Sequence, residues 1–128
     1  MKQFSRCWKS SKKPGKQRKY RYNAPLHIRQ KMASCHLSKE LRKKHGLRSI
    51  GVRKGDEVKV ARGQFKKKTG KVERVDLKKS KVYVTGIEVI KKDGSKVLFG
   101  LPASNLILQS INTDDKMRKK KLQRLVKK

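Results

Sequence analysis

Acidic residues are scarce in this chain: nine Asp and Glu stand against 39 Lys and Arg, a formal charge of +30 over 128 residues. A chain so lopsided repels itself unless counterions or a polyanion share its surface. The few carboxylates sit mostly beside turns or basic residues and suggest no apolar pocket with a perturbed group, so neither an enzyme nor a small-molecule substrate is expected. Cysteine is almost absent. Cys7 and Cys35 are the only two, and with no secretory context a structural disulfide is not expected. With His27, His36 and His45 they supply ligand types for zinc, yet no C-x-x-C or H-x₃₋₅-H pair is accompanied by a second matching pair. No metal and no cofactor are expected. No apolar run is long enough to span a bilayer, and no helix pattern carries the broad apolar face of a membrane-surface helix, so a membrane partner is not expected either. The start, MKQFSRCWKSSKK, lacks the apolar segment of a signal peptide, which points to a chain that stays in the cytosol or nucleus.

What is present is unevenly placed. Residues 1–54 hold 18 basic residues and one acidic, 55–115 hold 13 and eight, and 116–128 hold eight and none. The middle has nearly the balance of an ordinary domain, and both ends are basic arms. Nucleic acid is the polyanion that this pattern favours. The expected organisation is a basic extension over 1–54, a small barrel over 55–112 and a basic helix over 113–128.

The extension starts with a segment, KSSKKPGKQRKYR, too poor in apolar residues to offset the entropy of ordering, so by itself it should be disordered. Trp8, Tyr20 and Tyr22 lie among its cations, where aromatic rings can stack on unpaired bases or pack against the barrel or a neighbouring protein. Residues 25–46 read as two short helices. Pro25 suits the first turn of one, while Ser38 can cap the other, Glu40 sits in its first turn and Gly46 can stop it. From Gly55 the period changes to two: Val58 and Val60, Val82 and Val84, Ile87 and Val89, Val97 and Phe99, and Leu106 and Leu108 alternate with other residues. About five short strands describe a small antiparallel barrel, whose closure protects edges. Val72, Val75 and Leu77 break the alternation and require a bend or bulge. After Ile111, Thr113 is a cap candidate for a basic helix with Leu122, Leu125 and Val126 on one side, expected to order on contact.

The stretch KGDEVKVARGQFKKKTGKVERVDLKKSKVYVTGI resembles the KOW motif, a strand-loop-strand unit of small SH3-like barrels. Its parts are the structural glycines Gly55, Gly63 and Gly70, Asp56, the alternating Val58 and Val60, and Lys71-Val72. Upstream, YNAPLHIRQKMASCHLSKELRKKHGLRSIGVRKGDEV is similar to the block before the barrel in the archaeal and eukaryotic form of large-subunit ribosomal protein twenty-four, called twenty-six in the older eukaryotic naming. The resemblance runs from about Tyr20 to the end. It implies a mainly β fold with short helices: an SH3-like antiparallel barrel, a basic N-terminal extension containing two short helices, and a basic C-terminal helix. It further implies a structural constituent of the large ribosomal subunit that binds large-subunit rRNA early in assembly near the nascent-chain tunnel exit. Neighbouring ribosomal proteins would be its other partners, with no obligate homo-oligomer. The location would be cytoplasmic, with transit through the nucleus in a eukaryote. One position departs from the family pattern: Lys67 stands where a glycine is common, so a loop with φ > 0 there would strain it. A KOW module of transcription elongation is a competing class, but this chain has no room for a separate regulatory domain. A general nucleic-acid condenser would need charge and little fold.

The residues expected to meet RNA are Arg18, Lys19, Tyr20 and Arg21 in the extension, and Arg29, Lys31, Arg42 and Lys43 on the helices. Arg62, Phe65, Lys66, Lys67, Lys68 and Lys71 are expected from the motif, and Arg118 and Lys119 from the last helix. For the loop, the alternative is a solvated basic turn whose Phe65 closes the end of the barrel.

Overall fold

Alternating valines and leucines build the centre of the molecule. Strand β3 (Glu57–Val60) runs antiparallel to β8 (Leu106–Ser110), with Val58 opposite Leu108 and Val60 opposite Leu106. None of these four is more than 1% exposed, and burying side chains of this size contributes about 1.5–3 kcal/mol each. This block anchors the sheet. In the computed structural model, residues 4–5, 7–8 and 11–126 are described, with backbone alone at 121 and 124–126.

From β3 the chain turns into β4 (Thr69–Asp76) and then β5 (Lys81–Val84), both antiparallel to their predecessors. The register advances from Val72 opposite Val84 to Arg74 opposite Tyr83. Glu73 is therefore the extra residue of a bulge, which sharpens the strand's bend where the interrupted alternation of Val72 and Val75 requires it. Gly70 sits at a close crossing: a Cβ there would lie 2.5 Å from the Thr85 carbonyl oxygen. Only glycine lets the strands approach so closely.

Strands β6 (Glu88–Ile90) and β7 (Lys96–Leu98) form a separate two-stranded hairpin, with Val89 opposite Val97 and both exposed. The alternation of Val89 and Val97 produces strands, as expected, but these strands do not face the core. The chain then returns through Leu101, which exchanges two backbone hydrogen bonds with Val82 of β5 at 2.7 and 2.9 Å. A 3₁₀ turn over Ala103–Asn105 leads into β8. One continuous segment thus touches both β5 and β3, and this closes the curl of the barrel.

Two strands of the extension widen the same sheet. β1 (Ser34–Leu37) lies parallel to β8, and β2 (Ser49–Gly51) lies antiparallel to β1, giving the order β2-β1-β8-β3-β4-β5. The two helices expected over 25–46 are present as α2 (Leu26–Met32) and α3 (Lys39–His45), with β1 between them. Cys35 and Leu37 are buried at 1% while Ser34 and His36 lie at the surface side. That is a strand's period in a run too short to separate from a helix. For α3 the local signals hold: the Ser38 side chain accepts from the Leu41 amide, and Gly46 ends the helix in the left-handed region at φ 62.

Both arms differ from the expectation. Residues expected to be disordered form α1 (Pro14–Asn23), with proline at its first turn and no buried residue. The Tyr20 ring packs on Phe4 and Trp8, with centroids 4.8 and 4.3 Å apart, a contact that a composition cannot reveal. The final helix, α4 (Lys116–Val126), is already docked, and its cap is Asp115, which accepts from the Met117 amide, rather than Thr113. Leu122 is buried, while the side chains of Leu125 and Val126 lie outside the described residues.

Docking rests on an ion pair. The Arg118 guanidinium donates to both oxygens of Asp56, at 2.6 and 2.8 Å, and to the carbonyls of Asn112 and Gly51, both at 3.1 Å. Asp56 also accepts from the Arg53 and Asn112 amides at 2.9 and 3.0 Å. Removing one partner of a buried pair strands the other charge, at a cost of about 3–5 kcal/mol. Arg118→Ala should therefore lose about 3–5 kcal/mol in urea unfolding, while Lys119→Ala on the same turn stays within about 0.5 kcal/mol. A loss under about 1 kcal/mol for Arg118→Ala would show that the pair does not hold the helix.

Candidate nucleic-acid interface

The loop between β3 and β4 is tied at its base and anchored at its tip. The Val60 amide donates to the Lys68 carbonyl at 2.8 Å and the Lys67 amide to the Val60 carbonyl at 2.9 Å. Phe65 turns inward, packs against the core and sits 5.3 Å from the Phe99 ring centroid. It therefore closes the barrel end, and its expected contact with RNA is corrected on that ground. Arg62, Lys66, Lys67 and Lys68 remain exposed around it. The Lys68 ammonium lies 5.3 Å from the Phe65 ring centroid, a cation–π distance. Lys67 adopts φ 74. The loop thus keeps the left-handed turn that glycine would take without strain, and the lysine accepts its cost.

The other candidates divide by how far their charge is already used. Arg18, Lys19 and Arg21 on α1 are exposed, as are Lys31, Lys43 and Lys119. Arg42 is exposed, with its Nε donating to the Leu37 carbonyl at 2.8 Å. Lys71 lies directly across from Glu57 on β3, where opposite charges attract. Three expectations change. Arg118 is buried in the pair with Asp56 and offers nothing to a ligand. Arg29 donates to the carbonyls of Ala24, Tyr22 and Lys78, stapling the start of α2 to the turn after β4, so its guanidinium is spent internally. Tyr20 is half-buried against Phe4 and Trp8 rather than presented in an open tail.

Sequence reasoning missed the Asp56–Arg118 pair although a signal existed. Arg118 precedes Leu122 by four residues and so shares its helix face. It also missed Arg74, whose guanidinium lies 4.5 Å from the Tyr83 ring centroid. Among the described residues the ion pairs are Arg53–Asp115 and Arg118–Asp56, and no group of three His, Cys, Asp or Glu side chains is placed to hold a metal. Most of the basic excess therefore has no carboxylate to answer it within the fold. What this arrangement offers chemically is charge neutralisation, with a rigid loop and helix faces presenting ammonium and guanidinium groups.

Residues 11–125 match the family of eukaryotic ribosomal proteins L26 and their archaeal counterparts. The chain belongs to this family of large-subunit ribosomal proteins. It is 48% identical over 116 residues to the large ribosomal subunit protein uL24 of Methanosphaera stadtmanae, covering 91% of this chain and 99% of that protein. It is 45% identical over 114 residues to uL24 of Korarchaeum cryptofilum, covering 89% and 87% respectively. The KOW resemblance and the SH3-like barrel agree with this membership.

Two expected outcomes test the local geometry. Lys67→Gly should raise stability by about 0.5–1 kcal/mol, because relief of left-handed strain outweighs the extra entropy of an unfolded glycine; a lowered thermal midpoint would contradict the strain. Burial pushes the Cys35 thiol up to about 12, with the Asp56 charge adding and Arg118 opposing. The folded state holds that proton more tightly than the unfolded chain, so the contribution is intact below about 9 and is lost as pH rises toward 12. Iodoacetamide at about pH 8 should label exposed Cys7 alone in the native protein and both cysteines in denaturant, as read by mass spectrometry.

Proposed function

We propose that this large-subunit ribosomal protein binds large-subunit rRNA through α1 and the β3–β4 loop, and that it supports subunit assembly near the nascent-chain tunnel exit. The observation that carries the RNA reading is the loop itself: Arg62, Lys66, Lys67 and Lys68 are exposed on a turn whose Phe65 is fixed in the barrel. Preorganised cations lose little entropy on meeting phosphates, and each contact releases condensed counterions. The basic face of α1, with Arg18, Lys19 and Arg21, supplies a second set of phosphate contacts. The bond made is ionic and nothing is cleaved, so the role is structural. The assembly role and the position near the tunnel exit rest on the family resemblance, and the cytoplasmic ribosome is the location it implies.

Replacing Lys66, Lys67 and Lys68 together by alanine should weaken binding to large-subunit rRNA. It should also lower the slope of log affinity against log salt by about 2, at about 0.7 per lost contact on single-stranded RNA. Unchanged affinity and slope would remove the loop from the interface. On a sucrose gradient the tagged protein should travel with large subunits, and travel with RNA polymerase instead would overturn the ribosomal reading.

A further inference from the structure

Beyond the loop, a cleft of about 540 Å³ lies between the N-terminal arm and the barrel. Its volume falls in the roughly 300–1,000 Å³ range of small-molecule sites. Trp8, Tyr20 and Met32 supply aromatic and apolar lining, Ser80 and Ser104 come from the barrel, and the exposed Arg21 also lines it. Among the described residues no Asp or Glu lines it.

We propose that this cleft takes an unstacked base of single-stranded RNA, with the adjoining phosphate meeting Arg21. The inference rests on the RNA-binding reading above and adds a kind of contact which that reading lacks. A nucleobase has flat apolar faces, polar edges and an attached anion. The cleft offers aromatic and thioether surfaces for the faces, hydroxyls that both donate and accept for the edges, and a guanidinium for the anion. The arm supplying the aromatic lining carries 18 basic residues to one acidic over residues 1–54, which selects a polyanionic occupant. The chemistry also accounts for two aromatic residues of so basic an arm: Trp8 and Tyr20 pack together and line the cleft beside the barrel, whereas Tyr22 stays in solvent. Because arm and barrel each contribute a side, a captured base would tie the two together.

Trp8 is the sole tryptophan, so its fluorescence reports on the cleft in the full-length protein. The probes are a ten-residue oligoadenylate, a ten-residue oligouridylate and an abasic ribose-phosphate strand of equal length, each followed by anisotropy of an end label and by Trp8 emission. All three should bind in a salt-dependent way, and only the base-bearing strands should quench Trp8. Trp8→Ala should weaken binding of the base-bearing strands roughly 5- to 150-fold, as expected when one base stack is lost, and leave the abasic strand unchanged. Ser104→Phe, which fills the cleft from the barrel side without altering the arm, should produce the same selective loss. Equal quenching and equal affinity for base-bearing and abasic strands would overturn the base site while leaving phosphate binding intact. Failure of every strand to bind would overturn the RNA-binding reading and the base site with it.

Discussion

Asp56 carries a carboxylate into an interior made mostly of valine, leucine and isoleucine, and the arrangement of both ends of the barrel follows from how that group is answered. Two backbone amides and one guanidinium satisfy it. Each donor comes from a different part of the chain: the approach to β3, the exit from β8, and α4. A single carboxylate therefore sets the angle at which the chain enters the barrel, the point at which it leaves, and the side on which the last helix lies. Such a pair adds little net stability over well-packed apolar residues. Its effect is on geometry, because an apolar substitute would fill the space without specifying three directions.

The same economy appears at the loop between β3 and β4. An aromatic ring that could have served as a contact is used as a bolt, and the strained backbone at Lys67 is held by hydrogen bonds to Val60 and by the packed Phe65. Strain of this kind persists only where the surroundings over-determine it. The consequence is a row of cations whose backbone positions are fixed before any polyanion arrives. Arg29 shows the complementary use of a basic residue. Its guanidinium gathers three carbonyls that the turn between α1 and α2 and the turn after β4 would otherwise leave to water.

The barrel was legible because its signal is local and repeated. Val58, Val60, Val82 and Val84 keep a period of two, the broken period at Val72–Val75 marks the bulge, and Ser38 and Gly46 bracket α3 by side-chain chemistry that acts within about four residues. The resemblance to the KOW motif also identified Lys67 as the position where a side chain would meet a left-handed turn. What escaped was decided at long range. β1 is four residues whose strand character comes from pairing with β8, far downstream, where His36 meets Ile107. Arg118 shares a helix face with Leu122, but nothing local names its partner, which is 62 residues away. Phe65 could face either way until the position of Phe99 was known, and α1 depends on a cluster of rings from separate parts of the arm. The exposed loop lysines were readable from charge alone. Which arginines were already engaged was not, since a guanidinium bound to carbonyls leaves no mark in a sequence.

The placement of Arg118 has a consequence for the order of events during synthesis. The carboxylate it answers stands just before the first barrel strand, while the arginine lies 62 residues later, in the helix that follows the last strand. A growing chain emerges from its N-terminus, so every strand is available while the charge at the centre still lacks its counterpart. The buried charge of Asp56 waits for a helix made after all of them. Chains cut short before α4 would carry all eight described strands and a carboxylate without its guanidinium, a flaw that sets them apart from chains that include the helix.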